Sequence, residues 1–407
     1  MDLIVQKFGG TSLSDENSRR HVLRHIVREN EAGSRLVVVV SAMGRSGEPY
    51  ATDSLLELIR TNGNALPARE KDLLLSCGEL ISATLLCSIL QAEGIPSVVL
   101  TGGQAGIITD NRFGSARITE IKTERIHKLI SDGFVVIVTG FQGMTPDGEM
   151  TTLGRGGSDT SATALGAALN ADIVDIYTDV DGILTADPRW VSDARPLSTV
   201  SYEEICNMAQ NGAKVIHPRA VEIAMKASIP VRVRSTFSEG EGTLVTNAHA
   251  LRSQGIWFDK TVTGLAHVRG VTQLGVTNNN GPSDVQLRVF RAMATHGISV
   301  DFINVMPSGV VYTVSETDTS LAMELLQGLG FEPNVRRGCA KVSVIGGGMN
   351  GEPGVMAVIV EALTNSGIPI LQSADSNTTI WVLLSEEDLA EALQALHTAF
   401  GLHLTPN

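Results

Sequence analysis

The chain has 407 residues, which is enough for two or three domains with a substantial buried core. Its 44 acidic and 31 basic residues give a formal net charge of -13 at pH 7, which argues against nucleic acid as a main partner. No N-terminal targeting signal is visible, and the longest continuous apolar runs, such as Leu36–Val40 and Phe134–Val138, are too short to span a bilayer. We therefore expect a cytoplasmic protein without a membrane partner.

Cysteine and histidine spacing argues against two common classes of metal site. The four cysteines are scattered without C-x-x-C spacing, so we expect neither a disulfide framework nor a structural zinc site. The nine histidines show no H-E-x-x-H pattern, so a zinc hydrolase is not expected. A serine hydrolase is not expected either, because no G-x-S-x-G elbow occurs.

Apolar runs alternate with segments of helical spacing along the first part of the chain. The strand candidates are Leu3–Val5, Leu36–Val40, Ser97–Leu100, Val135–Val138, Ile173–Tyr177 and Val231–Val233. The helix candidates are Ser18–Asn30, Asp53–Ile59, Ile81–Ala92, Ile118–Ile130, Asp159–Asn170 and Arg219–Ala227. Continuous valine and isoleucine runs are typical of strands buried on both faces. We therefore predict an α/β fold with a mostly parallel central sheet and helices on both faces. Ligands of such sheets bind beyond the carboxyl ends of the strands.

The first strand leads into the sequence Lys7-Phe8-Gly9-Gly10-Thr11-Ser12. Two adjacent glycines allow backbone N–H groups to approach an anion closely, and the lysine adds a compact positive charge. This is the outline of a phosphate site, although the same residues also fit an ordinary tight turn. It is not a Walker A loop, because G-x-x-x-x-G-K-[ST] does not occur in the chain.

The segment Thr151–Asp159 (T-T-L-G-R-G-G-S-D) precedes an alanine-rich helix. Gly156 and Gly157 have no side chains to cover the backbone, and a serine or aspartate can cap the helix that follows. The guanidinium of Arg155 matches a carboxylate in a bidentate manner, and Asp159 suits the orientation of a lysine or a metal. An ordinary capped turn is the alternative interpretation.

The segment Tyr177–Gly182 (Y-T-D-V-D-G) follows a predicted strand. Two acidic residues two positions apart beside a glycine suit ribose hydroxyls or a magnesium-bound phosphate, although aspartate-rich turns at strand ends are common. Lys214 is a third basic candidate. Three further polar residues are weak signals when taken alone, namely Ser41, Thr52 and Glu79.

The last third of the chain contains an internal repeat with an offset of 70 residues. The identical pairs include Gly281/Gly351, Val285/Val355, Gly297/Gly367, Ser315/Ser385, Ala322/Ala392 and Leu326/Leu396. The clearest strands are Val300–Val305, Val310–Val314, Ile368–Leu371 and Ile380–Leu384. This order predicts two ferredoxin-like βαββαβ units. Such small sheets commonly pair across a dimer.

The sequence Gly346–Gly351 satisfies the pattern G-x-G-x-x-G and follows a predicted strand, Lys341–Ile345. A dinucleotide site requires a full βαβ unit that ends in an acidic residue. This motif lies inside the second repeat, and its counterpart in the first repeat is not a glycine fingerprint. We interpret it as a loop of a small regulatory sheet.

These motifs, taken together and in this order, resemble the aspartate kinase family over essentially the whole chain. They are K-F-G-G-T-S, T-T-L-G-R-G-G-S-D, Y-T-D-V-D-G and a two-fold ACT-like repeat. The segments Ile370–Ser376 and Thr379–Leu383 are most similar to the diaminopimelate-sensitive aspartokinase I type. The resemblance implies an amino-acid-kinase fold that transfers the γ-phosphoryl group of ATP to the β-carboxylate of L-aspartate. The product would be 4-phospho-L-aspartate, the first intermediate on the way to lysine, diaminopimelate, threonine and methionine.

The resemblance also implies roles for individual residues. Lys7 would neutralise charge on the transferring phosphoryl group, and Asp159 would orient Lys7. Arg155 would bind the α-carboxylate of aspartate, Glu79 would bind its ammonium group, and Ser41, Thr52 and Ser158 would complete that pocket. The residues implied for ATP are Lys7, Phe8, Gly9, Gly10, Ser12, Thr178, Asp179, Asp181, Leu184, Arg189 and Lys214. Many relatives carry an aromatic residue in place of Leu184. Mg²⁺ would be held through the ATP phosphates, with no direct protein ligand.

The ACT-like repeat implies feedback by an amino-acid effector and a homodimer, or a larger assembly, formed through these units. Asn279, Ser283 and Asp301 are the implied effector residues. Asp301 follows the lysine-type pattern, whereas Asn279, Pro282, Asp284 and Gln286 do not. This argues against lysine as the sole effector and leaves diaminopimelate favoured. The implied domains are a kinase domain at 1–245, a linker at 246–262, a first ACT unit at 263–338 and a second ACT unit at 339–407. The sequence leaves open whether the first strand region of the first ACT unit is shared with the second. Two alternatives stay open: a kinase for another acidic amino acid, and a catalytically silent amino-acid sensor.

Overall fold

The computed structural model describes residues 2–60, 66–213, 215–247, 261–277, 284–349 and 351–404. The chain divides into two compact units. The first comprises Met1–Ile183, Pro196–Ala209 and Lys214–Trp257. The second comprises Leu184–Arg195, Gln210–Ala213 and Phe258–Asn407. Each unit has its own sheet and its own hydrophobic core.

Strands and helices alternate along the first 247 residues. The strands are β1 (Leu3–Phe8), β2 (Arg35–Val40), β3 (Ser97–Leu100), β4 (Ile107–Thr109), β5 (Ile118–Ile121), β6 (Val135–Thr139), β7 (Gln142–Met144), β8 (Met150–Thr152), β9 (Ile173–Thr178), β10 (Thr199–Ser201), β11 (Val231–Ser235) and β12 (Thr243–Thr246). The helices are α1 (Gly10–Leu13), α2 (Glu16–Glu31), α3 (Thr52–Arg60), α4 (Ala68–Ala92), α5 (Glu124–Ser131), α6 (Gly157–Leu169), α7 (Tyr202–Gln210) and α8 (Pro218–Ala227).

The central sheet of the first unit has eight strands in the order β10-β12-β11-β9-β1-β2-β6-β3. All its neighbouring strands run parallel except β11 and β12, which are antiparallel. The predicted mostly parallel α/β sheet is therefore confirmed. Strands β1 and β2 are buried along nearly their whole length, as expected for valine- and isoleucine-rich strands covered on both faces.

Helices cover the two faces of this sheet. On one face, Phe8 of β1 packs in a core with Ile26 of α2 and Leu86 of α4. Successive side chains of a strand point to opposite faces, so Val174 of β9 faces away from that core. There it packs against α6, where Gly166 leaves room for the Val174 side chain. The helices on both faces leave the carboxyl ends of the strands as the place for ligands.

Helix α4 has 25 residues and is long and apolar enough, by length and composition alone, to cross a membrane. Runs of consecutive apolar residues did not reveal it, because polar residues such as Asp72 and Glu79 interrupt the helix. Leu86 and Leu90 are fully buried in the core of the first unit. Core helices of globular proteins often have the same composition, so this helix is weak evidence for a membrane segment.

A second, four-stranded sheet in the order β5-β4-β7-β8 belongs to the first unit. The helical prediction for Ile118–Ile130 is wrong in its first part, because Ile118–Ile121 pairs as strand β5 with β4. Helix α5 begins only at Glu124. This small sheet carries β8, the strand that leads into the loop before α6.

The second unit contains the repeat. Its strands are β13 (Gly264–Thr277), β14 (Asp301–Met306), β15 (Gly309–Ser315), β16 (Asn334–Ile345), β17 (Gln372–Asp375) and β18 (Thr379–Ser385). Its helices are α9 (Val285–Thr295), α10 (Thr319–Gly328), α11 (Val355–Asn365) and α12 (Leu389–Ala399), with short 3₁₀ turns at Glu316–Asp318 and Glu386–Asp388. The six strands form one sheet in the order β14-β15-β13-β16-β18-β17.

The two central strands of this sheet, β13 and β16, are long enough to serve both repeats. Residues 271–277 of β13 pair with β15, whereas residues 264–268 pair with residues 341–345 of β16, which also pairs with β18. The first repeat thus has four strands of its own, with residues 334–339 of β16 as the fourth, whereas the second repeat takes its fourth strand, residues 264–268, from the segment that precedes the first repeat. The glycine-rich run after β16 leads to α11 within this antiparallel sheet, in agreement with its interpretation as a regulatory loop.

Candidate active site

A cavity of about 490 Å³ lies at the carboxyl ends of β1, β2 and β6. Seven residues that the sequence singled out line it together: Lys7, Ser41, Thr52, Glu79, Arg155, Ser158 and Asp159. They come from five separate segments of the chain. The lining also includes residues that sequence reasoning did not select: Ala42, Asp53, Leu56, Leu75, Gly114 and Phe141.

Lys7 and Asp159 form an ion pair in this cavity. Lys7 Nζ lies 2.7 Å from Asp159 Oδ1, and the two side chains are only 12% and 13% exposed. Lys7 is near the end of β1, and Asp159 is in the first turn of α6. The other carboxylate oxygen, Oδ2, accepts a hydrogen bond from the backbone N–H of His217 at 3.3 Å. The lysine ammonium is therefore held at the amino end of a 13-residue helix, where an anion is favoured.

Two glycines shape the start of α6. Gly156 has φ +66°, and a Cβ at this position would lie about 2.1 Å from the His217 ring. A Cβ on Gly157 would lie 2.7 Å from the Phe141 ring, which is also too close for a side chain. Because neither position has room for a side chain, the backbone of this loop can lie directly against the cavity.

The turn after β1 is held by backbone contacts with two neighbouring strands. Gly9 N–H donates to the carbonyl of Tyr177 at 3.4 Å, and Gly44 N–H donates to the carbonyl of Gly10 at 3.0 Å. A Cβ on Gly10 would lie 2.7 Å from the carbonyl oxygens of Ala42 and Gly44. The glycine pair therefore allows this turn to pack against the loop after β2.

Phe8 and Ser12, both implied for ATP, have side chains that are turned into the protein. The Phe8 ring is fully buried and stacks on Tyr177 with ring centroids 4.6 Å apart. The Ser12 hydroxyl is fully buried and bonds to the Thr236 hydroxyl at 2.7 Å. Their backbone groups are engaged as well, because Ser12 N–H donates to the Gly9 carbonyl and the Phe8 carbonyl accepts from Ser41 N–H, both at 3.1 Å. Phe8 and Ser12 therefore support the turn.

Glu79 is a buried acid with one oxygen satisfied. Its Oε1 accepts from the backbone N–H of Ala42 at 3.0 Å, whereas Oε2 has no hydrogen-bond partner among the described residues. Burial raises the pKa of Glu79 to about 8. An unpartnered carboxyl oxygen on the wall of a cavity is suited to a cationic group of a ligand.

Arg155 is exposed on the rim of the same cavity, and it has no ion-pair partner in the part of the chain that the structure describes. Hydrogen bonds from Arg219 hold the loop that carries Arg155. Arg219 donates to the carbonyls of Leu153 and Ala116 at 3.1 and 3.2 Å. A positioned loop with a free guanidinium suits the bidentate binding of a carboxylate.

The acidic turn after β9 lies beside the turn after β1, because β1 and β9 are parallel neighbours and Phe8 is level with Tyr177. Asp179 pairs with Arg45 at 2.5 Å, and Asp181 Oδ1 accepts from the hydroxyl of Ser238 at 2.7 Å. Thr178 Oγ1 donates to Asp179 Oδ1 at 3.2 Å. These polar groups therefore form a separate exposed cluster next to the glycine turn.

The other predicted residues lie elsewhere. Leu184 and Arg189 belong to the second unit, where Arg189 makes a bidentate pair with Asp187. Asp301, at the start of β14, pairs with the ammonium of Lys341. The remaining three, Lys214, Asn279 and Ser283, lie outside the described residues.

Asp72 is the main site residue that sequence reasoning missed. It is fully buried on α4, and its Oδ2 accepts from the backbone N–H groups of Gly114 and Thr152 at 2.9 and 2.8 Å. Its Oδ1 accepts from the Thr152 hydroxyl at 2.8 Å. It therefore joins Gly114 of the cavity wall to the strand before the Arg155 loop. An acid seven positions before Glu79 on an apolar helix was the available signal.

The first 235 residues match a known family model. Residues 2–235 match the amino acid kinase family, and residues 334–398 match the ACT domain. This agrees with a parallel sheet whose carboxyl end carries a lysine, an aspartate and a glycine-rich helix start. The fold and the cavity thus define an amino acid kinase with an appended ACT region.

Relatives that match over their full length identify one family among the amino acid kinases. The chain is 53% identical to aspartokinase 1 of Bacillus subtilis strain 168 over 99% of this chain and 100% of the relative. It is 41% identical to an aspartokinase of Geobacillus stearothermophilus over 99% and 98% of the two chains. It also resembles the structure of E. coli aspartokinase III in complex with aspartate and ADP, with a TM-score of 0.79, 29% identity and coverage of 98% and 99%. The chain belongs to the aspartokinase family.

Family membership confirms the resemblance and the enzyme class drawn from the motifs. It also decides against the two open alternatives, because the matching relatives over the full length are aspartokinases. The ACT match supports amino-acid regulation of this kinase.

Proposed function

We propose that the cavity around Lys7 and Asp159 is where this aspartokinase transfers the γ-phosphoryl group of ATP to the β-carboxylate of L-aspartate. An oxygen of the β-carboxylate forms the new P–O bond, the bond to the β,γ-bridging oxygen breaks, and ADP leaves with the electron pair. Phosphoryl transfer depends mainly on positioning and on neutralising charge. The observation that carries the proposal is the Lys7–Asp159 pair at the start of α6, inside one cavity with Arg155 and Glu79.

The substrate would bind by the two charged groups on its α-carbon. Arg155 binds the α-carboxylate, and the free oxygen of Glu79 accepts from the α-ammonium group. The hydroxyls of Ser41, Thr52 and Ser158 complete the pocket. Because burial disfavours the ionised form of Glu79, the incoming ammonium group is what stabilises the carboxylate. The β-carboxylate, at the other end of the substrate, is then left for Lys7, which lines the same cavity.

The ammonium of Lys7 and the backbone of Gly9 and Gly10 are proposed to bind the ATP phosphates. Asp159 keeps the ammonium at the amino end of α6, so the positive charge faces the γ-phosphoryl group before the reaction begins. We assign Phe8 and Ser12 a supporting role in the turn, because their side chains are buried. Thr178, Asp179 and Asp181 are proposed to contact the nucleoside, with Leu184, Arg189 and Lys214 as further nucleotide residues.

Mg²⁺ is proposed to enter with ATP. Three acids line the cavity, and Asp159 is already paired with Lys7, while Glu79 is buried on the cavity wall. This donor set suits a cation that keeps its waters and is held mainly by the substrate phosphates. When bound, Mg²⁺ neutralises charge on the β- and γ-phosphates.

The ACT region is proposed to bind an amino-acid effector, with diaminopimelate favoured over lysine and with Asn279, Ser283 and Asp301 as contacts. Asp301 is 65% exposed and already pairs with Lys341, so an effector ammonium at this carboxylate competes with that lysine. E. coli aspartokinase III has been solved in complex with lysine and aspartate, and its TM-score to this chain is 0.77. An effector shifts activity only if it binds one state of the enzyme more tightly than the other.

A homodimer through the ACT region is proposed from the edge strand β14. Ile303, Val305 and Met306 of this strand are 48%, 56% and 37% exposed. An apolar edge strand of this kind is a template for pairing with a second chain. A cytoplasmic location is proposed because all four cysteines are free.

Trapping of the acyl phosphate as aspartyl hydroxamate tests the function. Purified protein with L-aspartate and MgATP is expected to form hydroxamate, and L-glutamate is expected to give far less. The same assay with diaminopimelate, lysine, threonine and methionine identifies the effector. No hydroxamate above background from L-aspartate overturns the proposal.

A further inference from the structure

Three side chains of the second unit, Asp193, His397 and His403, bring their donor atoms together. One donor atom from each lies within 4.8 Å of the others. His397 Nδ1 and Asp193 Oδ1 are 3.5 Å apart. Ligand atoms bound at 2.0–2.1 Å in a tetrahedral zinc site are about 3.4 Å from each other. The first two donors therefore already have ligand spacing, and they lie outside the proposed active site.

His397 has the properties of a prepared ligand. Its side chain is fully buried near the end of α12, and Nδ1 has no hydrogen-bond partner among the described residues. The other ring nitrogen, Nε2, lies 2.9 Å from the Thr185 hydroxyl. With the ring proton on Nε2, the lone pair of Nδ1 is free. Histidines that bind metals commonly have the second nitrogen fixed by such a partner.

The surrounding contacts hold this arrangement in place. The Thr185 hydroxyl accepts from the backbone N–H of Arg195 at 3.1 Å, and Asp193 Oδ1 accepts from the Gln394 side chain at 3.1 Å. The site is thus supported by two segments that are distant in sequence.

His403 supplies the third donor. It is exposed in the turn that follows α12, and its ring centroid lies 6.3 Å from that of His397. Because the donor atoms lie within 4.8 Å of one another, a shift of at most about 1.4 Å brings the His403 donor to tetrahedral spacing. Asp193 and His403 are both exposed, so a water molecule has access to a fourth position.

We propose that Asp193, His397 and His403 form a binding site for a divalent transition-metal cation of the zinc class. Two imidazole nitrogens and one carboxylate oxygen suit zinc and its neighbours, whereas magnesium and calcium prefer oxygen donors alone. The bound cation ties the segment 184–195 to α12. This segment contains Leu184 and Arg189, two of the residues proposed for the nucleotide, so the metal stabilises the segment that carries them.

Metal binding to the full chain tests the proposal, with Zn²⁺ as the probe in the absence of ATP. Isothermal titration calorimetry is expected to show one Zn²⁺ per chain with micromolar or tighter affinity. Co²⁺ in place of Zn²⁺ is expected to give the visible absorption of a tetrahedral site. Zn²⁺ is also expected to raise the melting temperature, and a chelator is expected to reverse the rise.

Two variants locate the site. His403→Gln and Asp193→Asn replace exposed side chains, so both are expected to fold, which circular dichroism checks. Each is expected to weaken Zn²⁺ binding at least tenfold and to abolish the rise in melting temperature. His296→Gln, an exposed histidine of the first repeat, is the matched control and is expected to leave binding unchanged. Absence of Zn²⁺ binding by the unmodified chain overturns the proposal. So does binding that survives both variants, or binding that the control weakens equally.

Discussion

Lys7 and Asp159 are separated by 152 positions in the chain, yet their side chains meet at 2.7 Å. One lies on β1 and the other in the first turn of α6, which packs on the same strand. The contact fixes a positive charge at the carboxyl end of the sheet before any ligand arrives. Charge that is positioned in advance costs no reorganisation during the reaction.

The first prediction concerns this lysine. Lys7→Ala is expected to lower kcat by about 100-fold or more, because loss of one preorganised charge at a reacting group typically costs this much. The KM for aspartate is expected to change by less than about threefold, since Arg155 and Glu79 bind its α-carboxylate and α-ammonium groups. Steady-state kinetics measures both values. Lys226→Ala, at an exposed position on α8, is the control, and an unchanged kcat in Lys7→Ala contradicts the role of Lys7.

The second prediction concerns the pH dependence of Glu79. Its pKa is raised by burial from 4.5 to about 8 in the folded protein, so between these values the folded state binds the proton that the unfolded state has lost. Stability is therefore expected to fall as pH rises from 5 to 8, by up to about 4 kcal/mol from this group. Glu79→Gln is expected to flatten that decline in urea unfolding and to raise the KM for aspartate at least tenfold.

The control for Glu79 is Glu93→Gln, which removes an exposed acid at the end of the same helix. It is expected to keep the pH dependence and the KM of the unmodified enzyme. If Glu79→Gln retains the same decline between pH 5 and 8, another group is responsible. An unchanged KM would remove Glu79 from the substrate pocket.

The third prediction concerns Asp72, which holds two walls of the cavity. Asp72→Asn places an amide donor against groups that are themselves donors, namely two backbone N–H groups and a hydroxyl. We expect a loss of about 2–4 kcal/mol in the free energy of unfolding, because buried polar groups lose their partners. Thermal unfolding measures the loss, and Asp132→Asn, at an exposed position after α5, is the control. Equal stability of the two variants would contradict this account.

The fourth prediction separates backbone strain from a steric clash. Gly156 and Gly148 both have positive φ, +66° and +89°, but a Cβ on Gly148 meets no atom within 4 Å. Gly148→Ala is expected to cost about 1 kcal/mol from strain alone. Gly156→Ala adds the contact with His217, so it is expected to cost more and to lower kcat by displacing the His217 N–H from Asp159. Similar stability and kinetics in both variants would show that the His217 contact is unimportant.

The fifth prediction concerns assembly through β14. Val305→Asp introduces a charge in the middle of the exposed apolar edge and is expected to convert dimers to monomers. Light scattering after gel filtration measures the mass. Leu321→Asp changes a 42% exposed leucine on α10 and is expected to leave the dimer intact. A dimer that persists in Val305→Asp places the interface elsewhere.

The sequence was most informative where the fold needs special residue types. Gly10 and the glycine run before α6 reflect close backbone approaches, which few residues other than glycine permit. Continuous valine runs identified the parallel sheet, because strands covered on both faces need apolar side chains throughout. These features are local, so they are visible in the chain itself.

Features that depend on distant contacts were not predictable. Ile118–Ile121 has the spacing of a helix, but pairing with β4 determines its conformation as a strand. Asp72 is recognisable as important only once Gly114 and Thr152 are seen to donate to it. His217 reaches Asp159 through a backbone N–H, a contact that does not depend on the type of side chain and so leaves no sequence signal.

The long strand β13 makes the two repeats unequal. Residues 271–277 pair with β15 and with residues 334–339 of β16, so the first repeat has four strands of its own. The second repeat instead depends on residues 264–268, which precede the first repeat in the chain and pair with residues 341–345 of β16. Loss of that segment would leave the first repeat its own four strands but would expose an edge of β16 in the second, so the dependence between the repeats runs in one direction.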